Sequence, residues 1–468
     1  MVNRFQLFLV LFLCYQQHIS ALSFTKMEVV DRILSNSEKM PVKDSVKKDT
    51  LRYHYQPLTA RDSAISRMID SLERVDEQNR AMRYMDAFIS GNIPYLIFNI
   101  DYRRFLNYNP HEGIRLGLGL ATNKKLASFF SLGGYFSYGF KDEDWKFGSF
   151  IRLFPKWQSD TRLTLSYSRD VSETGEYSFF EEQVYGSTEW FRKLLINQMD
   201  FTESWEGSFC FRALRYFKFN LYLNQSNKVP RYEYAFKKPG YNTPSNDFNF
   251  TEAGLNIKFS YRENFMKSPS GERLSLGSKY PVIWFNVKQG FNFLGGNFVY
   301  TKYELKVAES LTTKPFGKSQ VTITAGLANR AVTLTNLYNG HGDYGGFAIQ
   351  AENSFATMRM SEFYSSEFAS IFFIQNFGKL FHGNSIFCPE LCLATNVGYG
   401  RMQNPQYHQL FNYNSLEKGY YESGILVINA LKMGFLGYGF GVYYRYGPYA
   451  FDRIATNFAY KLTLSMSL

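Results

Sequence analysis

From about residue 96 onward, apolar residues recur at every second position, the period of a strand with one apolar face and one polar face. In 252–261, Ala253, Leu255, Ile257, Phe259 and Tyr261 alternate with Glu252, Gly254, Asn256, Lys258 and Ser260. The closing stretch repeats the pattern: Phe458, Tyr460, Leu462, Leu464, Met466 and Leu468 alternate with Ala459, Lys461, Thr463, Ser465 and Ser467. Alternation also marks 114–120, 163–167, 217–223, 303–307, 321–327 and 436–444. Many of these segments have the length needed to cross a bilayer at a tilt, and they exceed the usual soluble strand. Before residue 96 the period is helical. Ile65, Met68, Ile69, Leu72, Val75, Met82, Met85 and Ile89 fall in steps of three and four, with Thr59 placed as an N-cap and Gly91 and Pro94 as terminators.

A soluble sandwich also alternates, so other signals decide between the two. Aromatic residues make up 18% of the chain, with 46 Phe and 35 Tyr. They gather near segment ends, as in Tyr420-Tyr421 and Tyr443-Tyr444-Arg445-Tyr446, where a membrane barrel carries its girdles. No stretch beyond the first two dozen residues is apolar enough for a membrane helix. That opening stretch, with Arg4 followed by a short apolar run and Ile19-Ser20-Ala21, reads as a secretory signal peptide. The expected organisation is therefore signal peptide 1–21, polar periplasmic lead-in 22–58, amphipathic helix 59–95 and barrel 96–468. The expected fold is all-β, a single antiparallel transmembrane barrel of about 16–18 strands, an even number. Leu462, Leu464, Met466 and Leu468 would face lipid and form the terminal strand read by the barrel-assembly machinery. Lys461 and Thr463 would face the lumen. Ile65, Ile69, Leu72 and Met82 would form the helix face that buries against the barrel or a periplasmic protein partner.

The net charge of +11 suits outer-membrane lipid headgroups, lipopolysaccharide or an acidic solute, and equally a hydrated lumen. No basic run interleaved with aromatics points to nucleic acid. Candidate chemistry is sparse. His341 and Asp343 lie in the glycine-rich run 339–346; they could converge as a metal or acid/base pair, or simply occupy a turn. No histidine sits in a recognisable nucleophile motif, and the Gly117/Gly119 and Gly437/Gly439/Gly441 spacings open no helix, so they are not phosphate loops. Glycine at alternate positions instead leaves one strand face bare for close packing. The charged runs 141–144 and 181–182 read as hydrated turns, with divalent bridging to lipopolysaccharide as the functional alternative. No enzyme activity, cofactor or metal site is expected.

Several stretches carry a resemblance: EGIRLGLGLATNK (Glu112–Lys124), SLGGYFSYGFKDEDWKFG (Ser131–Gly148), RLTLSYSRDVSETG (Arg162–Gly175), RLSLGSKYPVIWFNVKQGF (Arg273–Phe291), FATMRMSEFYSSEFASIFFIQNFG (Phe355–Gly378) and the run 418–450. In this order they resemble a family of outer-membrane barrels catalogued as a domain of unknown function, which often follow a carboxypeptidase-regulatory-like domain. That family is distantly similar to surface-antigen barrels such as BamA and TamA. The resemblance implies that 339–346, with His341 and Asp343, belongs to a long loop entering the lumen. The function expected is an outer-membrane pore, transport or envelope-biogenesis component without covalent chemistry. The alternatives are an insertase-like assembly factor, marked by a weakly paired first/last strand seam, and a surface adhesin or outer-membrane enzyme.

Overall fold

The computed structural model describes residues 91–466 apart from 156–160, 178, 180–187, 241–242, 268–272, 276, 314, 344, 382–385 and 434–435. The expected signal peptide, lead-in, helix face (Ile65, Ile69, Leu72, Met82), Glu181-Glu182 and Leu468 lie outside these residues. The rest is one 19-stranded sheet with short satellite pairs. Its strands are β1 (Asn92–Tyr95), β2 (Phe98–Asp101), β3 (Leu106–Asn109), β4 (Gly113–Thr122), β5 (Phe130–Gly139), β6 (Trp145–Leu153), β7 (Arg162–Glu173), β8 (Met199–Ala213), β9 (Phe217–Pro230), β10 (Phe248–Ser260), β11 (Val282–Phe291), β12 (Tyr300–Thr313), β13 (Gly317–Ala328), β14 (Phe347–Ile349), β15 (Glu367–Lys379), β16 (Glu390–Arg401), β17 (Tyr420–Met433), β18 (Leu436–Tyr446) and β19 (Phe458–Met466).

All strands of nine residues or more follow one another as an antiparallel meander, and β2 and β3 together form one further course along β4. This makes sixteen courses, within the expected range. The sheet starts at Asn92, earlier than the expected boundary at 96. Residues 92–95, expected as the end of the helical segment, are an edge strand. Pro94 is tolerated there because β1 pairs on one side only, with β2.

The two faces of this sheet are inverted relative to a soluble protein. Polar side chains line one face and are buried: Lys146, Lys218, Glu252, Lys302, Glu422, Arg445 and Lys461 are each under a tenth exposed. Large apolar side chains stud the other face and are open, among them Leu165, Leu221, Ile371, Ile425 and Phe440. A flat sheet could not bury its polar face against itself. Side chains from β2 through β12 line a single cavity of about 750 Å³, so the sheet curls around a polar interior. Among the described residues no hydrogen-bonded pairing joins β19 to β1, β2 or β3. The free edge of β2 is covered by β1, and that of β19 by the short parallel strand β14.

The alternate glycines act as bare surface. A Cβ on Gly119 would come within 2.9 Å of Asp101 Cβ, and one on Gly117 within 3.0 Å of Arg104 O; a 3-10 turn at Tyr102–Arg104 folds over these positions. On β18, Gly437 and Gly439 receive the bulge of β17, where Asn429 has φ +54 and the register slips between Val427 and Leu431. Asn429 Oδ1 then accepts from Ser465 Oγ of β19 at 2.6 Å.

The described parts of 174–198, 231–247, 329–366, 402–419 and 447–457 join strands at one end; at the other, 123–129 and 214–216 turn tightly and 261–281 makes one longer connection with the small hairpin Phe265–Lys267 against Arg273–Ser275. At the long-loop end the inward positions become aromatic. Phe248, Phe250, Phe298 and Tyr300 pack with Tyr234, Phe236, Tyr338, Tyr364 and Phe368 into a closed cap.

The face assignment is open to direct test. Leu165→Arg places a charge on the apolar outer face and is expected to cost roughly 2–4 kcal/mol near a bilayer midplane. Ser166→Arg, whose side chain enters the polar cavity, is expected to cost far less. Urea unfolding in lipid vesicles compares the two, and equal losses would show the faces to be misassigned.

Candidate functional site

The segment 329–366 leaves the wall between β13 and β15 and packs inside the curled sheet, where the stretches 332–339, 354–358 and 363–366 are buried. A stretch with this many turns and glycines cannot satisfy its backbone by itself, so the wall supplies partners. Glu422 of β17 is fully buried and accepts the backbone N–H groups of Ala356 and Thr357, both at 2.8 Å. It also accepts Thr357 Oγ1 at 2.5 Å and Asn396 Nδ2 at 2.6 Å. Three of these four donors belong to the loop and hold this turn to the wall, while Asn396 of β16 steadies the carboxylate. Arg445 of β18 reaches Glu362 at 3.0 Å and lies over the Phe451 ring, 4.4 Å from its centroid. Asn336 Nδ2 donates to Glu252 of β10 at 2.7 Å, and Lys228 Nζ of β9 to Thr335 O at 3.2 Å.

His341 and Asp343 both lie on this loop but turn to different partners. Asp343 pairs with Lys461 of β19 at 3.2 Å, both side chains wholly buried, and also accepts from Ala351 N. His341, at φ +51, contacts Glu189 through Nε2 at 3.0 Å. Glu189 opens the short helix α1 (Glu189–Lys193). Burial pushes its carboxyl up, but the charge and hydrogen bond of His341 and the nearby Arg192 overcome that and hold it at about 2. Arg192 of α1 forms a bidentate pair with Glu173 at the end of β7 and donates Nε to Gly342 O at 3.0 Å. Asn339 Nδ2 meets the same Glu173 at 2.7 Å. The two residues therefore form no acid/base pair with each other; they are separate fastenings of one loop.

The loop thus bridges walls remote in sequence, β7 to β10 on one side and β17 to β19 on the other. Its own strand β14 adds Phe347–Ile349 alongside Tyr460–Leu462, and Gln350 N donates to Leu462 O at 2.9 Å. In β19, Lys461 and Thr463 are buried on the inner side, while Leu462 and Leu464 are half-buried on the other. Met466 ends the strand. The residues that sequence reasoning did not single out are Glu173, Arg192, Glu252, Glu422 and Arg445. The available signal was parity: Glu252, Glu422 and Arg445 are charges at inward-facing positions of long strands. The turn 141–144 is tied down by charge, with Asp142 on Lys146 and Asp144 3.3 Å from Arg169.

Residues 214–413 match the C-terminal domain of a family of unknown function, DUF5686. This agrees with the resemblance carried by the sequence. No curated protein matches the chain. Among solved structures it is similar to BamA from Haemophilus ducreyi lacking POTRA domains 1–3, at 12% identity and a TM-score of 0.45 over 74% of this chain and 66% of that one. It is also similar to CdiB from Escherichia coli, at 9% identity and 0.42, over 79% of this chain and 62% of that one. For CdiB from Acinetobacter baumannii the values are 10% and 0.39, over 77% and 58%. The chain thus covers less than two thirds of the length of each of these proteins.

Two measurements probe how the interior is fastened. Lys461→Met leaves Asp343 buried without its cation and is expected to cost roughly 3–5 kcal/mol, whereas the double change Asp343→Leu with Lys461→Met recovers much of the loss. A double variant that loses the sum of the Asp343→Leu and Lys461→Met costs in urea titrations would rule out a paired role. The second concerns His408, on the long-loop side, which burial depresses to about 4; its Nδ1 lies 2.9 Å from Tyr234 Oη. A depressed histidine favours the folded state with its ring neutral. Its contribution is complete above about pH 6.5 and is lost as the pH falls towards 4. Protease resistance of the long loops is expected to decline across that window, and His408→Gln to flatten the profile.

Proposed function

We propose that this chain is an outer-membrane β-barrel that serves envelope transport or assembly by physically handling a client, with segment 329–366 as a retained stopper. The observation that carries the reading is the inverted wall, apolar outside and charged inside, fastened across its interior by a loop of its own. An apolar exterior of this extent is stable in lipid and unstable in water. Most of the long connections lie at one end, as at the external end of such barrels. The interior side chains are engaged in pairing with wall and loop, and this favours passage or release over covalent chemistry. A client passing through the interior would have to displace Asp343, Glu362 and the Ala356–Thr357 turn from Lys461, Arg445 and Glu422.

A second reading, an insertase-like assembly factor, draws on the edges. Among the described residues β19 and β2 do not pair with one another, and each is covered by a strand of only a few residues. Short covers can be displaced at the cost of a few hydrogen bonds, which would open an edge to an incoming strand.

Planar-bilayer conductance of the purified protein separates the two. The stopper reading expects low conductance in the native protein and larger, more frequent openings after Glu422→Gln with Asp343→Asn. Unchanged conductance in a folded double variant would remove the stopper role and favour the edge. Recovery of the native protein in a detergent-free soluble fraction would overturn the membrane reading altogether.

A further inference from the structure

The rim between β8 and β11, made of the turn 214–216 and the connection 261–281, carries a group of side chains that neither the stopper nor the edge uses. A band of rings runs along the outer face: Phe211 to Phe219 (5.3 Å between centroids), Phe217 to Phe259 (4.9 Å), Tyr216 to Tyr261 (4.8 Å) and Tyr261 to Tyr280 (4.8 Å). Basic side chains sit directly on it. Arg215 lies over Tyr216 at 5.6 Å, Arg262 over Tyr261 at 5.3 Å, and the exposed Lys279 precedes Tyr280. The adjoining turns are locked together, with Ser260 N donating to Tyr216 O at 3.0 Å and Ser278 Oγ to Tyr261 O at 2.6 Å.

Three observations distinguish this rim from an ordinary set of hydrated turns. Leu214 and Arg215, in the three-residue turn, and Arg262, at the start of 261–281, have φ of +50, +66 and +49, values that favour glycine or asparagine. Large side chains are kept there against the backbone preference, a pattern that clusters at ligand-binding sites. Leu214 is 77% exposed at the tip, next to an exposed arginine, as an apolar foot beside a cationic head. The acid within the rim, Glu263, is already engaged by Lys258 at 2.7 Å, Arg212 at 3.9 Å and Ser275 Oγ at 2.6 Å. Its charge is therefore offset locally, and among the described residues the exposed charged side chains Arg215, Arg262 and Lys279 are cationic.

We propose that Arg215, Arg262 and Lys279, framed by Tyr216, Tyr261 and Tyr280, bind the phosphate of anionic phospholipid headgroups, with Leu214 set into the acyl boundary. The proposal rests on the barrel reading, which places this rim at the inner-leaflet interface. Aromatic rings prefer that depth, guanidinium and ammonium groups reach the phosphates from it, and tyrosine hydroxyls add donors.

The test is native mass spectrometry of the full chain in detergent, titrated with phosphatidylglycerol or phosphatidylcholine, with heat-modifiable gel mobility confirming that each variant is folded. Wild type is expected to retain phosphatidylglycerol preferentially. Each basic side chain removed in Arg215→Ala, Arg262→Ala and Lys279→Ala is expected to weaken that retention roughly fivefold. Arg215→Lys with Arg262→Lys keeps the charge and is expected to preserve most of it. Equal retention of the two lipids by wild type, or an undiminished preference in the folded triple variant, would overturn the proposal. So would displacement of the lipid by millimolar inorganic phosphate, which would show that the rim takes a free anion. A protein that needs no detergent and retains neither lipid would be the separate failure of the barrel reading.

Discussion

The structure depends on one constraint: charged side chains point into a buried interior from a wall whose outside is apolar. An unpaired charge in such a place costs several kcal/mol, so each inward charge needs a partner within reach. The wall meets part of this need itself, as where Lys302 meets Glu304 two residues on in the same strand at 3.4 Å and Lys288 meets Glu252 of the neighbouring strand at 3.4 Å. The remainder is met by segment 329–366. Asp343 answers Lys461, Glu362 answers Arg445, and the backbone of 356–357 answers Glu422.

The same arrangement explains why the loop holds a defined path with little regular structure. Its strands are two or three residues long, as at Tyr338–Asn339 against Tyr364–Ser365. Fastening at widely separated points substitutes for internal hydrogen bonding. Such a loop is stable while its contacts act together, and it weakens sharply once a few are lost, because each released charge makes the next less favourable. An element with these properties suits a stopper that is retained in one state and released in another.

The edges of the sheet follow a related logic. A bare strand edge invites pairing with another chain, and β1 and β14 cover the two edges with very little hydrogen bonding. Near β19, the glycines of β18 admit the β17 bulge, whose Asn429 ties β17 to Ser465. The last strand is therefore held from the inside by Lys461 and Ser465 as well as along its pairing with β18.

Much of this was legible in the chain. Alternation with period two is a local property, so the strands, their length and the opposed faces of Lys461 and Leu462 could be read from residue order alone. The bare faces at Gly117/Gly119 and Gly437/Gly439 were legible for the same reason. What occupies each bare face was not, because Asp101 and Asn429 reach them only through turns and bulges set by pairing. Nor could sequence say that His341 turns to Glu189 while Asp343 turns to Lys461. Those partners lie more than a hundred residues away along the chain, and only curling of the whole sheet brings them within hydrogen-bond distance. Residue order determined which side chains face inward; the buried interior, where an unpaired charge is most costly, decided which of them meet.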